Sequence, residues 1–134
     1  MAKLVDVQGI GEVSARKLEA AGVTSTGDLL LKGATPQGRK EIATKAGISG
    51  DLILRWVNHV DLFRIKGVGP QYSELLEAAG VDTVVELSKR VPENLMQKMA
   101  ATNTEHKKVR QLPTLAQVES WIEQAKQMPR AIYY

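Results

Sequence analysis

Leu52-Ile-Leu-Arg-Trp-Val-Asn-His-Val-Asp-Leu-Phe-Arg-Ile-Lys-Gly-Val-Gly-Pro-Gln-Tyr-Ser-Glu-Leu-Leu-Glu-Ala-Ala79 is the stretch that decides the fold. Leu52, Ile53, Trp56, Val57 and Val60 recur at helical spacing, so the first half is an amphipathic helix. The pattern breaks at Ile65-Lys66-Gly67-Val68-Gly69, and a second amphipathic segment starts at Pro70. Glycines on both sides of Val68 admit a tight turn, and proline at a first helical position loses no hydrogen bond. The stretch therefore predicts helix, tight turn, helix. Such a turn presents backbone N–H groups at the positive end of a helix, a surface suited to a phosphate.

Working outward, the chain contains this pattern twice. Gly9-Ile10-Gly11 stands 58 residues before Gly67-Val68-Gly69. At the same offset Leu18 meets Leu76, Glu19 meets Glu77, and Ala20-Ala21-Gly22-Val23 meets Ala78-Ala79-Gly80-Val81. Further on, Arg55-Trp56-Val57 resembles Ser120-Trp121-Ile122 at an offset of 65, which places seven extra residues of the second repeat between Ala100 and Gln117. The repeats divide as residues 1–62, whose leading helix is truncated, and residues 63–134, with the insertion and a tail. The helix near Gly50 to Leu62 also supplies the first arm of the second hairpin, so one unit is expected rather than two independent domains.

Caps and periodicity predict helices at Glu12 to Ala21, Thr26 to Leu31, Pro36 to Ala46, Gly50 to Leu62, Pro70 to Ala79, Val84 to Arg90, Pro92 to Ala101, Glu105 to Gln111 and Leu115 to Gln127, and no strand. Gly22 and Gly80 fall where a helix ends in the left-handed region. Thr83 with Glu86 and Thr114 with Gln117 have capping-box spacing, and Thr35-Pro36 reads as a cap followed by a first-position proline. The tail from Met128 leaves its helix at Pro129, as an ordered strap or a frayed end.

Ile65, Lys66, Gly67, Val68, Gly69, Pro70, Ser73 and Leu76 resemble the helix-hairpin-helix motif. In that family hairpin amides grip the backbone of duplex DNA without reading sequence, often with a monovalent cation on hairpin carbonyls. As a whole the chain resembles an uncharacterised bacterial family, a domain of unknown function that joins two such units. The cues are both hairpins, Gly33-Ala34-Thr35-Pro36, Gly38-Arg39-Lys40, Leu54-Arg55-Trp56-Val57-Asn58-His59 and the late tryptophan helix around Trp121. The resemblance implies an all-α fold, two tandem helix-hairpin-helix repeats packed as one compact helical domain. It implies nucleic-acid contact by Gly9, Ile10 and Gly11 with Arg16 and Lys17 nearby, and by Gly67, Val68 and Gly69 beside Lys66. One departure stands out. DNA-binding members usually carry a lysine or arginine two residues after the second glycine, where Val13 and Gln71 stand. Cations supply most non-specific affinity, so duplex binding should be weak.

Bulk properties fit this expectation without adding much to it. At 134 residues, 43% hydrophobic and 25% charged, the chain is a single globular domain or two very small ones. A net charge of +3 permits a nucleic-acid partner. The absence of cysteine excludes disulfides and thiolate chemistry. No signal-like apolar core and no apolar run of membrane-spanning length occur, so a cytoplasmic protein with no membrane partner is expected.

Other candidate sites have plainer readings. Arg39, Lys40 and Lys45, and Lys107, Lys108 and Arg110 beside His106, form two basic clusters that read as phosphate tracks or as solvated faces. Trp56 and Trp121, in equivalent positions, read as core, in stripes packed against the other repeat. His59 and His106 lack two-histidine ligand spacing, and Asp61 reads as a helix-end charge. No nucleophile–base constellation appears, so no enzyme and no required cofactor are expected. Two readings remain, namely weak non-specific binding of double-stranded DNA, and a protein-interaction or scaffold module of the same fold.

Overall fold

The computed structural model describes residues 3–134, and all regular structure among them is helical. A 3-10 turn at Leu4–Asp6 is followed by α1 (Glu12–Ala20), α2 (Thr26–Lys32), α3 (Pro36–Ala46), α4 (Gly50–Leu62), α5 (Pro70–Ala78), α6 (Val84–Ser88), α7 (Pro92–His106) and α8 (Leu115–Gln127). The chain divides into two compact units. Unit 1 runs to Asp61 and takes in Ala131–Tyr134, and unit 2 is Leu62–Arg130. Chain order put the tail with the second repeat; the structure groups it with the first.

In unit 1, α3 packs on α1 and α2, and the 3-10 turn packs on α1. Leu18, Leu29, Ile53 and Trp56 are buried at its centre. In unit 2, α8 packs on α6 and α7, and α5 on α7. Ile65, Leu75, Leu87, Met99 and Trp121 fill that core. Each large apolar side chain fully withdrawn from water in this way contributes about 1.5–3 kcal/mol. The stripe Val118, Trp121, Ile122 and Ala125 lies in the core of its own unit, although the sequence reading set it against the other repeat. Leu52 and Leu115, counted in the two stripes, are at the surface.

Local hydrogen bonds recur 58 residues apart. Ser25 caps α2 by accepting from the Asp28 amide, and Thr83 caps α6 by accepting from the Glu86 amide. Val23 and Val81 donate back to Leu18 and Leu76 at 2.9 and 2.8 Å. Gly22 and Gly80 close α1 and α5 at φ +89° and +94°, as expected from sequence. Their carbonyls accept from the Lys32 ammonium and the Arg90 guanidinium, residues again 58 apart. The Thr114–Gln117 capping box is complete. At Thr83, the Glu86 carboxylate instead reaches the Asp82 amide, so that box is only half formed.

The repeats part at α7. It runs to His106 rather than ending at Ala101, and Lys107 stops it in the left-handed region at φ 51°. The separate helix expected over Glu105 to Gln111 does not form: its first two residues end α7, and 107–111 are not helical. Asn103 clamps the Val109 backbone from both sides, at 3.0 and 2.9 Å, and Val109 is buried, so this segment is a pinned loop. Weak helix formers Thr102, Asn103 and Thr104 concealed the extension in the sequence. Asp61 stands in the last turn of α4, at the helix end as read from the sequence, and it is buried there.

Candidate nucleic-acid interface

Both Gly-apolar-Gly turns adopt one backbone. Gly9 and Gly67 hold φ +93° and +101°, where an L side chain is strained. The second glycines, Gly11 and Gly69, are extended N-caps at φ −90° and −108°. Between them Ile10 and Val68 turn inward and are buried. Their amides are committed within the turn, Ile10 to the Val7 carbonyl at 3.0 Å and Val68 to the Ile65 carbonyl at 3.1 Å. Donors for a ligand must then come from the glycines and the first helical turn, whose N–H groups have no partner within their own helix.

Each first glycine also faces a tryptophan. A Cβ at Gly9 would stand 3.1 Å from the Trp56 indole nitrogen, and one at Gly67 3.0 Å from that of Trp121. Both indoles are buried at 2% exposure, and the equivalent helices α4 and α8 carry them at an offset of 65. The tryptophans thus brace the turns from inside.

The surroundings of the turns differ. Beside the first, Arg16 and Lys17 are exposed on α1, and Val13 stands 67% exposed. Glu12 lies in the first turn of α1. Beside the second, Lys66 is exposed while its backbone is held by Gln124, which accepts from the Lys66 amide at 2.8 Å and donates to its carbonyl at 3.2 Å. The Tyr72 ring lies 5.2 Å from the Trp121 ring, and its hydroxyl donates to the Gln111 carbonyl. Glu74 is paired with Lys108 at 2.8 Å in a partly buried contact. Sequence reasoning missed Gln124 and Lys108 as neighbours of this turn, because no local pattern marks contacts made 58 and 34 residues away.

One residue of each basic cluster is committed, Arg39 in the first and Lys108 in the second. Arg39 is buried, and its guanidinium donates to the carbonyls of Gly33 and Tyr133, each at 2.9 Å. Burial pushes its pKa down from the ordinary arginine value, though arginine stays charged. Lys40 and Lys45 remain exposed on α3, and Lys107 and Arg110 on the pinned loop. Among the described residues no three histidine, aspartate or glutamate side chains gather as a metal site, and no helix is long and apolar enough to cross a membrane.

Residues 8–128 match the model of the domain of unknown function DUF4332, and the chain belongs to that family. The match begins just ahead of the first turn and ends as α8 does, so it takes in both turns and both tryptophans. Neither the curated proteins nor the solved structures provide a match.

Proposed function

We propose that this chain is a tandem helix-hairpin-helix module that binds the backbone of double-stranded DNA weakly and without sequence preference. What carries the reading is the duplicated turn: a positive-φ glycine, a buried apolar plug and an extended glycine cap, each opening a helix of nine residues. In this reading the glycine and first-turn amides hold phosphate oxygens, Arg16 and Lys17 add charge at the first turn, and Lys66 adds it at the second. No reaction is catalysed and no cofactor is required. A monovalent cation at either turn would find only backbone carbonyls as donors, since the turn residues are glycine, isoleucine and valine. A cytoplasmic location goes with the reading.

A scaffold role of the same fold is the second reading. The spent Arg39 and Lys108 and the exposed Val13 favour it. Fluorescence anisotropy on a short duplex at low salt separates the two. DNA binding predicts a weak, steeply salt-dependent signal that Lys66→Glu and Arg16→Glu each reduce for every duplex sequence, with a flatter salt slope. Both side chains are exposed, so melting curves should change little. If wild type gives no signal, or the folded variants bind as wild type does, the scaffold reading replaces this one.

A further inference from the structure

The last residues of unit 1 are held as a ligand is held. Ile132 is buried at 2% exposure. The Tyr133 amide donates to the Ala34 carbonyl at 2.7 Å, and its carbonyl accepts from Arg39 at 2.9 Å. The Arg39 guanidinium also lies 5.6 Å from the centre of the Tyr134 ring, and the Tyr134 hydroxyl donates to the Asn58 side chain at 3.2 Å. These contacts combine an apolar anchor, a main-chain pair and a charged fork on a carbonyl. These partners, Ala34, Arg39 and Asn58, lie on the segment leading into α3, on α3 and on α4, between 76 and 99 residues away in the chain.

Arg39 explains why the groove needs an occupant. Its charge is buried, one acceptor is the Gly33 carbonyl of unit 1 itself, and the other is supplied by the tail. Without the tail the guanidinium loses that acceptor, and water has to replace it.

We infer that this face of unit 1 is a docking groove for an extended Ile-Tyr-Tyr segment, and that residues 132–134 fill it as a releasable ligand in cis. The inference is independent of the DNA reading.

The test uses the full chain and a labelled peptide Arg-Ala-Ile-Tyr-Tyr blocked at both ends. Ile132→Glu puts a charge into the anchor position and unseats the tail. The groove is then open, and the peptide should bind this variant about tenfold or more tighter than wild type, whose tethered tail competes at an effective concentration in the millimolar range. Adding Arg39→Lys should abolish that binding, since an ammonium lacks the fork that reaches both carbonyls. Equal peptide binding by folded wild type and Ile132→Glu, or none by either, overturns the inference. Hydrogen exchange on wild type provides a second reading that needs no variant. The Tyr133 amide should exchange at least tenfold faster than the Val23 amide in the same unit. Equal protection would mean that the tail opens only with the whole unit and is not a releasable ligand.

Discussion

The first turn can offer a phosphate the amides of Gly11, Glu12, Val13 and Ser14 together with two exposed cations, whereas the second has Gly69, Gln71 and Tyr72 with one, because Pro70 has no N–H. Yet the first carries an acid, Glu12, at the positive end of its helix, where it competes for the same field, and the second has none in its first turn. The acid one turn later, Glu74, is masked by Lys108 from the segment that lengthens the second repeat. The backbones are near copies and the electrostatics are not. Glycine positions thus define the turn, while residues outside it decide what the turn can hold.

The comparison is broken most severely where the repeats diverge. Gly33 and Gly38 precede and open α3, while Val91 and Met96 stand 58 residues later. A Cβ at Gly38 would meet the Lys32 carbonyl oxygen at 2.0 Å, which is backbone and cannot swing aside. Gly38→Ala should destabilise the fold by about 3 kcal/mol, visible as a large drop in the denaturation midpoint. A midpoint within error of wild type would mean that unit 1 can repack there as unit 2 does.

Within the turns, Gly9→Ala and Gly67→Ala should each cost about 1–2 kcal/mol from positive φ, with the indole contact adding to it. Gly11→Ala and Gly69→Ala meet nothing within 4 Å and should stay within about 0.5 kcal/mol. Urea titration of the four variants checks the pairing; a large loss at Gly11 or Gly69 would contradict the shared backbone. If the proposed DNA contact is right, Gly11→Ala also weakens duplex binding while leaving stability alone, because its methyl occupies the approach to the amides.

Lys108→Ala removes a contact that is partly screened, with side chains 30% and 15% exposed, so a loss of about 0.5 kcal/mol is expected. Its larger consequence under the DNA reading is a bared Glu74 near the second turn and weaker duplex binding. Lys17→Ala at the first turn should leave the second as it was. Anisotropy that falls with Lys17→Ala but not with Lys108→Ala would assign the binding to the first turn.

The smallest effect concerns the caps. Asp28 accepts from the Thr24 hydroxyl at 2.8 Å and the Thr24 amide at 3.2 Å, and these bonds hold its pKa below the ordinary 3.8. A depressed carboxylate pKa stabilises the fold above the unfolded value and loses that contribution as pH falls through the folded value. The melting difference between wild type and Asp28→Asn should therefore be present at neutral pH and close below about pH 3.8. A difference that persists unchanged at lower pH would show that the charge is not its source.

Much of this was legible along the chain because it is local. α3, α4 and α8 begin and end as caps and periodicity predict, and the left-handed closures at Gly22 and Gly80 follow from glycine after an apolar face. Local pattern could not reveal what distant partners decide. Arg39 looks like part of a basic face until a carbonyl 94 residues away claims it, and Lys108 until Glu74 does. Asp61 lies one turn after Val57 beside apolar residues, but a carboxylate does not announce burial by its type. The same holds for the site: its glycines announce themselves by spacing, while the braces Trp56, Trp121 and Gln124 act across the fold.

The docked tail also bears on the order in which the chain can fold during synthesis. Unit 1 leaves the ribosome first, yet Ile132 and the second acceptor for Arg39 emerge only after all of unit 2. Until then Ile132 is not buried and Arg39 lacks the acceptor that Tyr133 supplies. Contacts this distant in sequence close late, since loop entropy must be overcome first. Pulse-labelled exchange during refolding should find helix amides of both units protected before the Tyr133 amide.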